Sequence, residues 1–135
     1  MQTEFGGGEG WQAYATREWI SHLAIDDLRG YVSVLDGQTR PSFVRSAMGS
    51  VGSLHSRIVL LECSRDKRAV RLGKRGQPEL ATFQMDAWAV YLRGQADALE
   101  LPVIDTSVLT IQGVADALEA QVEALRQEIR IAAEP

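Results

Sequence analysis

Three short and almost continuously apolar segments constrain the fold of this chain more than any other feature of its sequence. They occupy residues 31–35, 57–63 and 102–105. Apolar runs without in-and-out alternation are typical of strands that are covered on both faces, and connections of about twenty and nearly forty residues between them leave room for helical crossovers. The pattern therefore predicts a parallel sheet.

Helical periodicity fills the rest of the chain. The helices that it predicts cover residues 11–28, 42–48, 66–72, 88–99 and 111–129. Gly30 is expected to end the first helix, and Thr110 is placed to cap the last one at its N-terminus. Alternation of helices with strands predicts an α/β fold class, and more closely a three-layer α/β/α domain with a parallel sheet.

Size and composition bound the number of domains. The chain has 135 residues, of which 45% are hydrophobic, and this is enough for one core. Residues 1–10 are rich in glycine and predict a flexible segment, whereas residues 11–135 are predicted to form a single domain.

Charge and cysteine usage exclude several classes of protein. A formal net charge of -4 argues against a protein that binds nucleic acid by blanketing its phosphates with Lys and Arg. Cys63 is the only cysteine, so neither an internal disulfide nor a multi-cysteine zinc site is expected, and no metal site is predicted. The lack of a secretory signal and of a long apolar run predicts a cytoplasmic protein that does not enter a membrane.

The carboxyl ends of the predicted strands are where a ligand is expected, because ligands of open α/β sheets bind there. The residues that follow the three strands are 36–40, 63–65 and 105–107. In the first group, Asp36 can hold magnesium through its water shell and Arg40 can grip a phosphate or a carboxylate. The alternative for this group is a plain strand-ending turn with a solvated arginine.

A basic segment follows the second predicted strand. Residues 66–75 contain five Lys and Arg in ten positions, and Arg68, Arg71 and Arg75 fall on one helical face. Such a face is suited to clamp a phosphate. The solvated side of an ordinary helix has the same composition, so both interpretations stay open.

These two polar segments resemble P-loop kinases of the adenylate kinase type. In that family an Asp-Gly-x-x-Arg turn follows the third core strand and an Arg-Leu-x-x-Arg lid follows the fourth, and residues 36–40 and 71–75 match the two motifs. Bacterial kinase-like ATPases with an LDGQxRPSFV turn and an RGQPELA lid are similar at residues 35–44 and 75–81. The resemblance implies a lid at about residues 66–87.

The resemblance also implies roles for particular residues. In the family the carboxylate lies on the magnesium side, and the lid arginines close on the transferred phosphate. The implied catalytic residues are Asp36, Arg71 and Arg75, and the implied substrate-binding residues are Gln38, Arg40 and Arg68. ATP and Mg²⁺ are the implied cofactors, and the implied ligand is a nucleotide or a phosphorylated small molecule.

The chain departs from the family at its phosphate loop. A P-loop has the sequence Gly-x-x-x-x-Gly-Lys-Ser/Thr, whose backbone amides cradle the phosphates, and no such string occurs here. The glycine-rich start carries Glu9 where a lysine is needed. The resemblance therefore implies a degenerate or truncated kinase-like protein, without the first strand and phosphate loop, that binds its ligand and does not turn it over.

The implied loss of a central strand has a structural consequence. Its two neighbours would lose backbone partners, at about 1–3 kcal/mol for each buried group left unpaired. Direct pairing of the flanking strands, a strand donated by another chain, or symmetric pairing in a homodimer would restore those partners, and we expect a homo-oligomer. Two other functions stay open, a non-enzymatic dimeric interaction module and a fragment of a longer ATP-dependent kinase.

Overall fold

The computed structural model describes residues 7–52 and 55–134. In this part of the chain the helices and strands are α1 Gly8–Leu28, α2 Pro41–Val51, β1 Leu60–Glu62, α3 Arg65–Lys74, α4 Phe83–Ala98, β2 Val103–Asp105 and α5 Ile111–Ala133. A short 3-10 turn, Pro78–Leu80, lies between α3 and α4. The chain divides into two compact units: the first unit is Met1–Ser56 with Ala124–Pro135, and the second unit is Arg57–Glu123.

The predicted three-layer α/β/α, P-loop-like domain is wrong. The structure is 67% helical, and the sheet that it contains within the described residues consists of β1 and β2 alone. Each strand has three residues, and the two run parallel with Leu60 opposite Val103. The predicted parallel orientation is confirmed, but the layered sheet is not.

Residues 31–35 account for much of this difference. The sequence predicts a strand there, yet residues 31–40 have no regular secondary structure, and Val34 is 81% exposed. Apolar and β-branched residues form a strand only where a neighbouring strand supplies hydrogen bonds and packing. No described strand pairs with this segment, so its sequence does not produce one.

The five predicted helices all form, with ends that differ by a few residues. The first begins at Gly8, so the last residues of the predicted flexible segment 1–10 are helical, whereas residues 1–6 lie outside the described residues. Gly30 follows the end of α1 as predicted, with a φ of 81° that favours glycine. No helix in the described part of the chain combines the length and apolarity needed to cross a membrane.

The first unit is organised around α1 and α2. Thr16 and Ile20 of α1 and Ala47 of α2 are buried. Pro41 opens α2 at a position where its missing N–H is not needed. The hydroxyl oxygens of Thr16 and Thr39 lie 2.7 Å apart, so the segment before α2 is held against α1.

The second unit is built from a strand, a helical connection and a second strand. Ile104 of β2 is 7% exposed, and Ala96 of α4 is fully buried. Glu62, the last residue of β1, forms an ion pair with Arg93 of α4. Because successive side chains of a strand point to opposite faces, α4 lies on the face that carries Glu62, and Leu61 lies on the other.

Candidate functional site

The carboxyl ends of β1 and β2 bring together two of the three places where the sequence predicts a ligand. Residues 63–65 follow β1, and residues 105–107 include the end of β2 and the residues after it. The backbone N–H of Ser64 donates to Oγ of Ser107 at 2.7 Å. The polar ends of the two strands are therefore in direct contact, as expected for a parallel pair.

Arg71 of α3 reaches both strand ends. Its Nη1 donates to Oγ1 of Thr106 at 2.8 Å and to Sγ of Cys63 at 3.3 Å. Its Nη2 donates to the carbonyl oxygen of Thr106 at 2.6 Å. Thr106 is itself held by β1, because its backbone N–H and its hydroxyl both donate to the carbonyl oxygen of Glu62. The guanidinium is thus fixed to the end of the sheet.

One edge of the Arg71 guanidinium forms no hydrogen bond with a described residue. Of its five N–H groups, the bonds to Thr106 and Cys63 use two on Nη1 and one on Nη2. The two that remain are on Nε and Nη2, which share one edge of the planar guanidinium. Neither has a hydrogen-bond partner within the described residues, and the side chain is exposed. Two parallel N–H groups match the two oxygens of a carboxylate or a phosphate.

Arg68 and Arg75 have different surroundings. Nη2 of Arg68 lies 2.6 Å from Oδ1 of Asp86, its Nη1 donates to the carbonyl oxygen of Cys63 at 3.1 Å, and the side chain is 19% exposed. Arg68 therefore ties α3 to α4 and to the end of β1. Arg75 follows α3 and is exposed, with no side-chain hydrogen bond or ion pair to a described residue. The implied lid, 66–87, spans α3, the 3-10 turn and the first residues of α4.

The other residues implied by the resemblance lie in the first unit, between α1 and α2. Asp36 and Gln38 are exposed, and neither side chain forms a hydrogen bond or ion pair with a described residue. Nη1 of Arg40 donates to Oε1 of Gln12 at 2.8 Å, and the guanidinium lies 5.1 Å from the centroid of the Phe43 ring. Arg40 therefore holds its segment against α1.

A carboxylate accompanies Arg71 at the strand ends. Oδ1 of Asp105 accepts a hydrogen bond from the backbone N–H of Ser107 at 2.9 Å. Hydrogen bonds from Ser107 lower the pKa of Asp105 from its ordinary value, and the positive charges of Arg93 and Arg71 act in the same direction. An anion that approaches Arg71 therefore meets an ionised neighbour.

ATP and Mg²⁺, the cofactors that the resemblance implies, stay a prediction. Within these residues, no group of three His, Cys, Asp or Glu side chains is arranged to hold a metal ion. The backbone cradle of a P-loop is also missing from the sequence. No chemical step through either cofactor follows from this set of residues.

The sequence predicts the place of the site but not the residues that orient Arg71. Cys63 and Thr106 lie within the groups expected at the strand ends, yet nothing in the local sequence predicts their contact with Arg71. The available signal is positional, since a polar group directly after a buried parallel strand is placed to orient a neighbouring side chain. Their contacts with α3 depend on how that helix packs, which the local sequence does not specify.

Comparison with known proteins assigns no family to this chain. The motifs that carry the likeness to P-loop kinases, at residues 35–44 and 71–81, lie in different units. No family model, no curated protein and no solved structure matches this chain.

Proposed function

We propose that the second unit binds a small oxyanion, a carboxylate or a phosphate group, at the open edge of Arg71, and that the chain does not transform it. One observation carries this proposal. Arg71 is fixed to Thr106 through Nη1 and Nη2, while its Nε–H and the second N–H of Nη2 have no hydrogen-bond partner within the described residues. A guanidinium that is already held in place loses less side-chain entropy when it binds a ligand.

The charge of α3 supports an anionic ligand at Arg71, and it outweighs the single negative charge that Asp105 places nearby. The basic residues of α3 and of the position after it are Arg65, Lys67, Arg68, Arg71, Lys74 and Arg75, against one acid, Asp66. Arg75 lies four residues after Arg71, so both side chains project from the same side of the helix. Because Arg75 has no ion pair with a described residue, it can supply the second positive charge for a phosphate.

Binding without turnover is supported by the state of the reactive groups at the strand ends. Sγ of Cys63 accepts a hydrogen bond from Arg71, and the carboxylate of Asp105 accepts one from Ser107. The second unit contains no histidine, the commonest general base, that could activate either group. The arrangement therefore favours recognition of the anion over chemistry on it.

Isothermal titration calorimetry with the full chain tests the proposal, using inorganic phosphate and citrate as separate probes. We expect saturable binding of at least one probe, and loss of that binding in Arg71→Ala. Arg71→Lys keeps the charge but not the paired N–H groups, so we expect roughly ten- to hundredfold weaker binding, because one hydrogen bond to a charged group contributes about 1.5–3 kcal/mol.

Arg65→Ala is the matched control, since Arg65 is an exposed arginine of the same helix and its partner is the neighbouring Asp66. It should leave the affinity almost unchanged. Asp105→Asn removes a negative charge beside Arg71 and should tighten binding. Equal losses of affinity in Arg65→Ala and Arg71→Ala would show that only the net charge of α3 matters for binding. That result would contradict a defined site at Arg71.

A further inference from the structure

The outer edge of β1 carries backbone groups without partners. Leu60 donates its N–H to the carbonyl oxygen of Pro102, and the carbonyl oxygen of Glu62 accepts from Thr106, so these two residues of β1 face β2. The N–H and C=O of Leu61 point to the opposite side. Within the described residues they have no hydrogen-bond partner, and Leu61 is 45% exposed.

The edge of β1 is short and ends in the charged Glu62, but it carries none of the stronger blocks of a sheet edge. Those blocks are a proline, a lysine or a bulge. Residues 58–61 are instead Ile-Val-Leu-Leu, and no cis peptide or positive φ interrupts them. The sheet of two three-residue strands is small, with α4 packed on one face, and a further strand would enlarge it. The edge is therefore suited to receive another strand.

We propose that β1 pairs antiparallel with β1 of a second copy of this chain, about a two-fold axis at Leu61. The pairing joins two small sheets into one sheet with the strand order β2, β1, β1 of the copy, β2 of the copy. In an antiparallel pair centred on Leu61, the two Leu61 residues exchange both of their backbone hydrogen bonds. The unpaired groups of Leu61 are satisfied by this arrangement without a change in β1.

The side chains favour a second copy over an unrelated strand. With Leu61 on the axis, Leu60 lies opposite Glu62 of the copy, so no like charges face each other. The charge of Glu62 is already neutralised by Arg93 of its own chain. The two exposed Leu61 side chains meet on the face opposite α4, where each covers the other. The strand is thus complementary to itself, as a two-fold interface requires.

Charge substitution at the axis tests the proposal, because a residue on a two-fold axis faces its own copy. In multi-angle light scattering we expect the wild type to have the mass of two chains, and both Leu61→Lys and Leu61→Glu to have the mass of one. An equimolar mixture of the two variants should regain the mass of two chains. Val70→Lys is the control, since Val70 is 54% exposed on α3, and it should stay dimeric.

Disulfide trapping provides a second measurement that does not depend on a charged variant folding. The Cα atoms of a hydrogen-bonded antiparallel pair lie about 5.5 Å apart, within the range of a disulfide. In a Cys63→Ser background, Leu61→Cys should therefore form a linked dimer on mild oxidation, whereas Val70→Cys should not.

Three results would overturn the proposal. They are a monomeric wild type, a Leu61→Lys variant that keeps the mass of two chains, and a mixture of the charge variants that stays monomeric. A wild type that is monomeric alone but binds an unrelated strand through this edge would likewise replace the second copy with another partner. Anion binding at Arg71 is measured separately and does not depend on these results.

Discussion

Residues 31–40 and residues 57–75 have the same sequence plan but different structures. Each begins with an apolar, β-branched run and continues into a polar stretch that contains an aspartate and arginine. Only the second becomes a strand and a helix, β1 and α3, because β2 pairs with β1 and α4 lies on one face. Such an apolar run therefore forms a strand only when the same unit supplies a neighbouring strand that pairs with it.

The arginines of the two regions differ in the same way. Arg40 is engaged with Gln12 and with the Phe43 ring, so its guanidinium serves the packing of the first unit. Arg71 is engaged by Thr106 on one edge and open on the other. The arginine at the strand ends is therefore a candidate ligand site, whereas the arginine in the loop that packs along a helix stabilises that packing.

The largest difference between the two regions should appear when an apolar side chain is shortened. Ile104→Ala removes buried atoms next to β1 and should lower the free energy of unfolding by about 2–5 kcal/mol. Val34→Ala shortens a side chain that is 81% exposed, and it should change the free energy of unfolding by no more than about 0.5 kcal/mol. Urea unfolding monitored by circular dichroism measures both. Similar losses would mean that residues 31–35 are buried after all.

A second, smaller effect separates the arginines within the basic segment. Arg68→Ala breaks the partly buried ion pair with Asp86 and should cost about 2 kcal/mol of unfolding free energy, because it leaves a desolvated carboxylate without its partner. Arg75→Ala should leave the free energy of unfolding almost unchanged. A double-mutant cycle with Asp86→Ala checks the coupling, and independent, additive losses would contradict the bridging role of Arg68.

The smallest effect concerns the pH dependence of the second unit. The pKa of Asp105 is lower in the folded chain than in the unfolded one, so its ionised form stabilises the fold at neutral pH. This contribution disappears as the pH falls through the folded pKa, below about pH 4. Asp105→Asn should therefore flatten the stability curve between about pH 5 and pH 3, as measured by urea unfolding. Asp36→Asn is the matched control, because the Asp36 side chain is exposed and forms no hydrogen bond or ion pair with a described residue.

The sequence predicts local structure better than it predicts pairing. The five helices follow from apolar periodicity, and their ends follow from local signals such as Gly30, because both depend on residues close in the chain. The strands at β1 and β2 are predicted with the correct parallel orientation. The strand at 31–35 is not, since whether a segment pairs depends on residues far away in the sequence.

The candidate site is predicted in part for the same reason. Arg71 and the residues after the strands are found from the sequence, because parallel strands place their carboxyl ends at one edge. The contact of Arg71 with Thr106, thirty-five residues later in the chain, depends on how α3 packs, so the sequence does not predict it. Arg68 is assigned to a ligand from its helical face, but in the structure it pairs with Asp86.

The most direct test of the open edge of Arg71 is an NMR titration that observes the Nε–H signals of the arginine side chains. With inorganic phosphate added to the full chain, we predict that the Nε–H signal of Arg71 shifts and saturates, while that of Arg65 hardly moves. An Arg71 signal that stays in place, or shifts of equal size in every exposed arginine, would contradict the central claim that this side chain is a preformed anion site.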